Sequence, residues 1–92
     1  FYDDIKRFKY LKRLFRKYTI TGDIKIRLVL NHLIVLQNVF GADVAISLLL
    51  FKVDKHYWPV LKACLDYLGY LYPHELNDVE IDSNVEGMLK EL

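Results

Sequence analysis

A chain of 92 residues with 53% hydrophobic and 27% charged side chains can build one hydrophobic core but not two, and it is too apolar to stay disordered. Its longest apolar runs, such as Leu33 to Leu36 and Val44 to Phe51 interrupted by Ser47, fall well short of the roughly 20 residues that span a bilayer. Its single cysteine, Cys64, excludes an internal disulfide and a Cys-rich metal site.

The net charge of +1 conceals a polarity. Residues 1–32 hold nine Lys/Arg against three Asp/Glu, a net +6, whereas residues 33–92 hold four against nine, a net −5. The first predicted helix, Asp3 to Tyr18, carries an apolar stripe of Ile5, Phe8, Leu11, Phe15 and Tyr18 at spacings of three and four, with Leu14 beside it. Asp3 and Asp4 in the first turn, and Arg16 and Lys17 in the last, complement the helix dipole. The segment Thr19-Ile20-Thr21-Gly22-Asp23 then breaks the pattern, with Asp23 as the expected N-cap of the next helix.

From Ile24 to Phe40 the chain is apolar on nearly every side, the signature of a helix at the centre of a bundle. The alternation of Ile24, Ile26, Leu28 and Leu30 with Lys25, Arg27 and Val29 also suits a strand, so a short strand near residues 19–30 is kept as the α+β alternative. Gly41 is expected to cap this second helix and Asp43 to open a third, from Val44 to about Val53. Pro59 fits only the first turn of a helix, so a fourth should begin near His56 to Trp58. Its stripe of Leu61, Cys64, Leu65 and Leu68, extended by Leu71, runs to about Tyr70, with Pro73 ending it.

The last segment, residues 73–92, sets Glu75, Asp78, Glu80, Asp82, Glu86 and Glu91 against Lys90 alone. Ser83 with Glu86 three residues on reads as a capping box, followed by Val85, Met88, Leu89 and Leu92 on one face of a short fifth helix, which Gly87 weakens. The expected fold is therefore all-α, a bundle of four helices with a short C-terminal fifth. Residues 1–72 form the bundle, and 73–92 an acidic segment of the same domain.

Reactive constellations are thin. His32, His56 and His74 stand apart from one another and from acids at metal-ligand spacing, so each reads as structural. Asp78-x-Glu80-x-Asp82 lacks the glycine and distal glutamate of a calcium loop. Ser47 lies among leucines, Ser83 is a cap, and the four glycines are dispersed, so neither an acyl-transfer turn nor a phosphate-cradling loop can be drawn. Cys64, within an apolar helix, reads as a buried thiol. No catalytic residue, metal or cofactor is expected.

The outstanding feature is the cationic face of the first helix. Lys6, Arg7, Lys9, Lys12, Arg13, Arg16 and Lys17 place seven positive charges within twelve residues, without an acid between Asp4 and Asp23. Such a face attracts phosphate backbones, or else pairs with the acidic tail or an acidic partner. Against nucleic acid stand the absence of a helix-turn-helix or RNA-binding signature and a pI near 8.0. Tyr57, Trp58, Tyr67, Tyr70 and Tyr72 are too many for so small a core, and some should reach a protein interface. The face of Val85, Met88, Leu89 and Leu92 suits docking into a partner's groove.

The run Phe1-Tyr2-Asp3-Asp4-Ile5-Lys6-Arg7-Phe8-Lys9-Tyr10, with Arg27-Leu28-Val29-Leu30-Asn31-His32-Leu33-Ile34-Val35-Leu36 and Asn38-Val39-Phe40-Gly41, resembles small uncharacterised proteins encoded by large contractile-tailed phages of marine bacteria. The resemblance covers about residues 1–72 and leaves the acidic tail unmatched. It implies a protein made in the cytoplasm of an infected cell and transfers no activity to any residue. The opening residues lack the pattern of a signal peptide, which also fits an intracellular place. The expected function is non-enzymatic: binding or regulation through a protein partner or a second copy, with no membrane role. Nucleic-acid binding by residues 3–18 and a small enzyme of unfamiliar design are the alternatives.

Overall fold

The computed structural model describes residues 2–92, and within them every regular element is helical. Five α-helices follow one another: α1 (Tyr2–Thr21), α2 (Ile26–Phe40), α3 (Ala42–Lys52), α4 (Trp58–Leu68) and α5 (Ser83–Lys90), with single 3-10 turns at Lys55–Tyr57 and His74–Leu76. The α+β alternative is thereby corrected. Ile24 and Ile26 are buried while Lys25 and Arg27 are exposed, so the alternation that resembled a strand belongs to the approach and first turn of α2.

The hub is α2, which packs against all four other helices. Its Val29, Leu33 and Leu36 are fully buried, with Ile26 and Leu30 nearly so. Phe8, Leu11 and Phe15 of α1 lie on this face, and Phe8 meets Phe40 with ring centroids 6.2 Å apart. Not every apolar side chain of α2 is hidden, since Leu28 and Ile34 are exposed. With Val60, Leu61, Ala63 and Cys64 of α4 these side chains make the main core. Burial of this kind contributes about 1.5–3 kcal/mol per large side chain.

Local chemistry explains where the helices stop. α1 continues three residues beyond the expected Tyr18, because the Thr19 and Thr21 hydroxyls donate to the Phe15 and Lys17 carbonyls one turn back. Asp23 is exposed and caps nothing, and α2 opens from Lys25 without a side-chain cap. The joint of α2 and α3 is the single residue Gly41, whose N–H donates to the Gln37 carbonyl while its own carbonyl accepts from Ala45. Its φ of 86° and ψ of 151° lie where only glycine sits without strain. Asp43 therefore falls within the first turn of α3.

Asp54 accepts from the His56 N–H and starts the turn that leads into α4, which carries Pro59 in its first turn. α4 ends at Leu68, short of the expected Tyr70, because Gly69 takes the left-handed conformation (φ 77°). The Gly69 N–H donates to Asp66 and the Tyr70 N–H to Leu65, a Schellman closure. Leu71 is consequently outside the stripe and 94% exposed.

The segment after α4 folds back. Leu76 is fully buried against Ile46 and Leu65 in a second, smaller core. The Asp82 N–H donates to the Pro59 carbonyl, and the Asp82 carboxylate, not Ser83, caps α5 by accepting from Val85. Val85 and Leu89 then enter the main core. The radius of gyration of 12.1 Å equals the about 12 Å that scaling gives for one domain of this length with its tail packed.

Candidate functional site

The helical repeat of α1 sorts its cations from its core residues. At about 100° per residue, Lys6, Lys9, Lys12, Arg13, Arg16 and Lys17 fall in an arc of about 140° centred between Lys9 and Arg13, and they extend about 17 Å along the axis. All six are exposed. The opposite arc holds the buried Phe8, Leu11 and Phe15.

Arg7, the seventh predicted cation, stands apart. It is half-buried, pairs with Asp4 at 3.5 Å and donates from a terminal guanidinium nitrogen to His32 Nδ1 at 3.0 Å. Arginine is always a donor, so His32 accepts at Nδ1 and is held neutral. Burial first, and the Arg7 charge second, lower its pKa. Tyr10 stacks on the His32 ring at 6.0 Å. Arg7 is thus a strut between α1 and α2.

The remaining cations are not neutralised from within. Lys6 sits 5.0 Å from the Tyr2 ring centroid and the Arg13 guanidinium 5.7 Å from that of Tyr10. Among the described residues no ion pair joins any of the six to a carboxylate. Some acids of the tail have other neighbours: Glu75 pairs with His74 at 2.9 Å and Glu86 with Lys90 at 3.9 Å. Asp82 caps α5 and accepts the Tyr18 hydroxyl at 3.2 Å.

Two hollows border the cationic face. One, of about 350 Å³, is lined by Lys12 and Arg16 of α1, Phe51, Lys52 and Val53 at the end of α3, and Asp54 and Tyr57 beyond it. The other, of about 360 Å³, lies among Arg13, Arg16, Lys17, Ile20 and Thr21. Phe51, which the sequence did not single out, is 86% exposed. Its signal was its place in α3, a helix apolar all round that only one face of the core can cover.

The predicted protein-interface residues divide. Tyr57 is half-buried against Phe15, with ring centroids 5.7 Å apart, and the Trp58 indole N–H donates to the Val53 carbonyl. Tyr70 and Tyr72 pack around the smaller core. The docking role expected of the α5 face is corrected: Val85 and Leu89 are buried within the chain's own core and Met88 packs against it. Of that face only Leu92 is exposed, and it shares a shallow hollow with Tyr67, Ile34 and Arg27.

Lys62 also escaped sequence reasoning, although a lysine between Leu61 and Ala63 in an apolar run was its signal. It is buried, and its ammonium donates to the Val79 and Asn77 carbonyls at 2.8 and 3.2 Å beneath the Tyr72 ring. It fastens the returning tail to α4.

Reactive groups do not assemble. Cys64 is fully buried, and its thiol is pushed up to about 12 by burial and then by the Asp82 charge. Burial also raises the Tyr18 phenol; Asn84 donates to its oxygen and counters this, while Asp82 reinforces it. His56 and His74 are exposed and apart from His32. Among the described residues no group of three His, Cys, Asp or Glu could hold a metal ion, and no helix is long and apolar enough to cross a membrane.

Fold and surface together define a small all-α protein with a central second helix and a polybasic outer first helix. The chain belongs to DUF7207, a family of unknown function whose model matches residues 1–92. No curated protein and no solved structure gives a significant match.

Proposed function

We propose that this is a non-enzymatic binding protein that holds the phosphate backbone of nucleic acid on the outer face of α1. One observation carries the reading: six exposed cations share one side of one helix, and among the described residues none forms an ion pair with an acid. A helix that kept its charges for solubility alone would gain from interspersed acids. The resemblance to proteins of large contractile-tailed phages supports a role in the cytoplasm of an infected cell.

The surface is a backbone reader. Lysines and arginines without a fixed array of amides recognise phosphate charge rather than base sequence. Six phosphate contacts predict a loss of about 10³-fold in affinity between 50 and 200 mM salt. Mobility-shift titrations at those two concentrations read this directly, and Lys12→Glu with Arg16→Glu should abolish the shift. Full affinity in the double variant would refute the reading.

A protein partner is the second reading, favoured by Leu71, 94% exposed beside Tyr70 and Tyr72. Light scattering across a concentration series tests whether that partner is another copy. A monomer at every concentration removes self-association.

A further inference from the structure

We infer that the hollow between α1 and the end of α3 is a seat for one unpaired nucleotide, its phosphate held by Lys12, Arg16 and Lys52 and its base stacked on Phe51. The inference rests on the phosphate-binding reading of α1 and names the form of nucleic acid: single strands rather than duplex.

Three features of the hollow converge on this ligand. Lys12 and Arg16 supply cations from one wall and Lys52 from another, whereas the α1 face elsewhere offers charge from a single helix. The Lys52 ammonium lies 5.7 Å from the Phe8 ring centroid and has no carboxylate partner among the described residues. Asp54 is the one acid of the lining; its carboxylate accepts the His56 N–H at 2.9 Å, and three cations outnumber it.

Phe51 supplies what phosphate alone does not require. It is 86% exposed, next in sequence to Lys52, although α3 has a buried side available to apolar residues such as Leu49. Across the hollow, Tyr57 is fixed by its stacking on Phe15, which gives a firm floor. A positively charged groove with an aromatic platform is how proteins hold single strands, because every unpaired base offers a π-face. In a duplex those faces are covered by neighbouring bases, so Phe51 gains nothing from it. The hollow of about 350 Å³ has room for a base but not for a double helix.

The test compares labelled oligothymidylate of twelve residues with a duplex of equal length, each titrated with the full chain at 50 and 200 mM salt. The parent chain should bind the single strand more tightly. Phe51→Ala, at a position that contributes nothing to the core, should weaken single-strand binding about 5- to 150-fold and leave both duplex binding and the salt slope unchanged. Phe51→Tyr, which keeps an aromatic face, should restore it. Equal single-strand affinity in Phe51→Ala and parent overturns the nucleotide seat while leaving phosphate binding intact. Absence of binding to either oligonucleotide overturns the phosphate reading, and this inference with it.

Discussion

The two ends of the chain carry opposite charge and treat it in opposite ways. In the tail, three of the six acids sit beside a specific neighbour: Asp82 caps α5 and receives Tyr18, Glu86 reaches Lys90 and Glu75 reaches His74. Along α1, six cations face outward and meet no carboxylate among the described residues. Charge that is locally satisfied stabilises a fold, whereas charge concentrated on one face and left unpaired raises the energy of the folded state through self-repulsion. The contrast separates a tail that builds the molecule from a helix face that the proposed function directs at a ligand.

The most direct way to break this contrast is to truncate the tail's anchor. Leu89 is 3% exposed in the main core, so Leu89→Ala should cost about 2–5 kcal/mol in urea unfolding. A tail that only docks onto partners would show almost no change. Cys64 gives an independent readout, because its buried thiol reacts only when the chain opens. Its alkylation at neutral pH should accelerate in Leu89→Ala by the factor that the unfolding equilibrium shifts.

A smaller loss is expected from Lys62→Met, which keeps the aliphatic stem but leaves the Asn77 and Val79 carbonyls without their donor. Part-buried hydrogen bonds from a charged donor contribute about 1.5–3 kcal/mol, to be read in the same denaturation experiment. If Lys62→Met unfolds with the parent, the ammonium does not hold the tail.

Periodicity made the five helices legible, since Phe8, Leu11 and Phe15, or Val85 and Leu89, repeat as a helix requires. Gly41 and Pro59 marked joints because their backbone chemistry leaves few alternatives. What the pattern could not say is what covers an apolar face. Val85 and Leu89 read equally well as anchors for a partner, and only the fold-back at Gly69 and the tie from Asp82 to Pro59 bring them inside. Lys62 was obscured for the converse reason, as its acceptors lie 15 and 17 residues away. The cations of α1 were visible as a cluster, but that Arg7 leaves the group for His32 while the others stay unpaired is a fact of packing.

The acceptor of that strut, His32, titrates. The folded-state pKa of His32 lies below its ordinary value of 6.5, so just under pH 6.5 the unfolded chain binds more protons than the folded one. Stability should therefore fall as pH drops through 6.5 and level off once the folded His32 is itself protonated. The effect is smaller than the substitutions above because the ring is only partly buried. His32→Gln should flatten this part of the curve, measured by thermal unfolding between pH 5 and 7.5, and an unchanged slope would place the titration elsewhere.

The smallest expected effect is the most discriminating. If the six outer cations of α1 supported the fold, neutralising Lys12 and Arg16 together would destabilise it as other lost contacts do. They have no carboxylate partner, are exposed and crowd four like charges, so Lys12→Gln with Arg16→Gln should change stability by no more than about 0.5 kcal/mol, with any gain reflecting relieved repulsion. The same variant should lose most of its affinity for single-stranded DNA, because two of the three cations of the Phe51 hollow are gone. A fold indifferent to these side chains and a ligand dependent on them would assign the α1 charge to binding. A loss of stability comparable to that of Lys62→Met would return it to the fold.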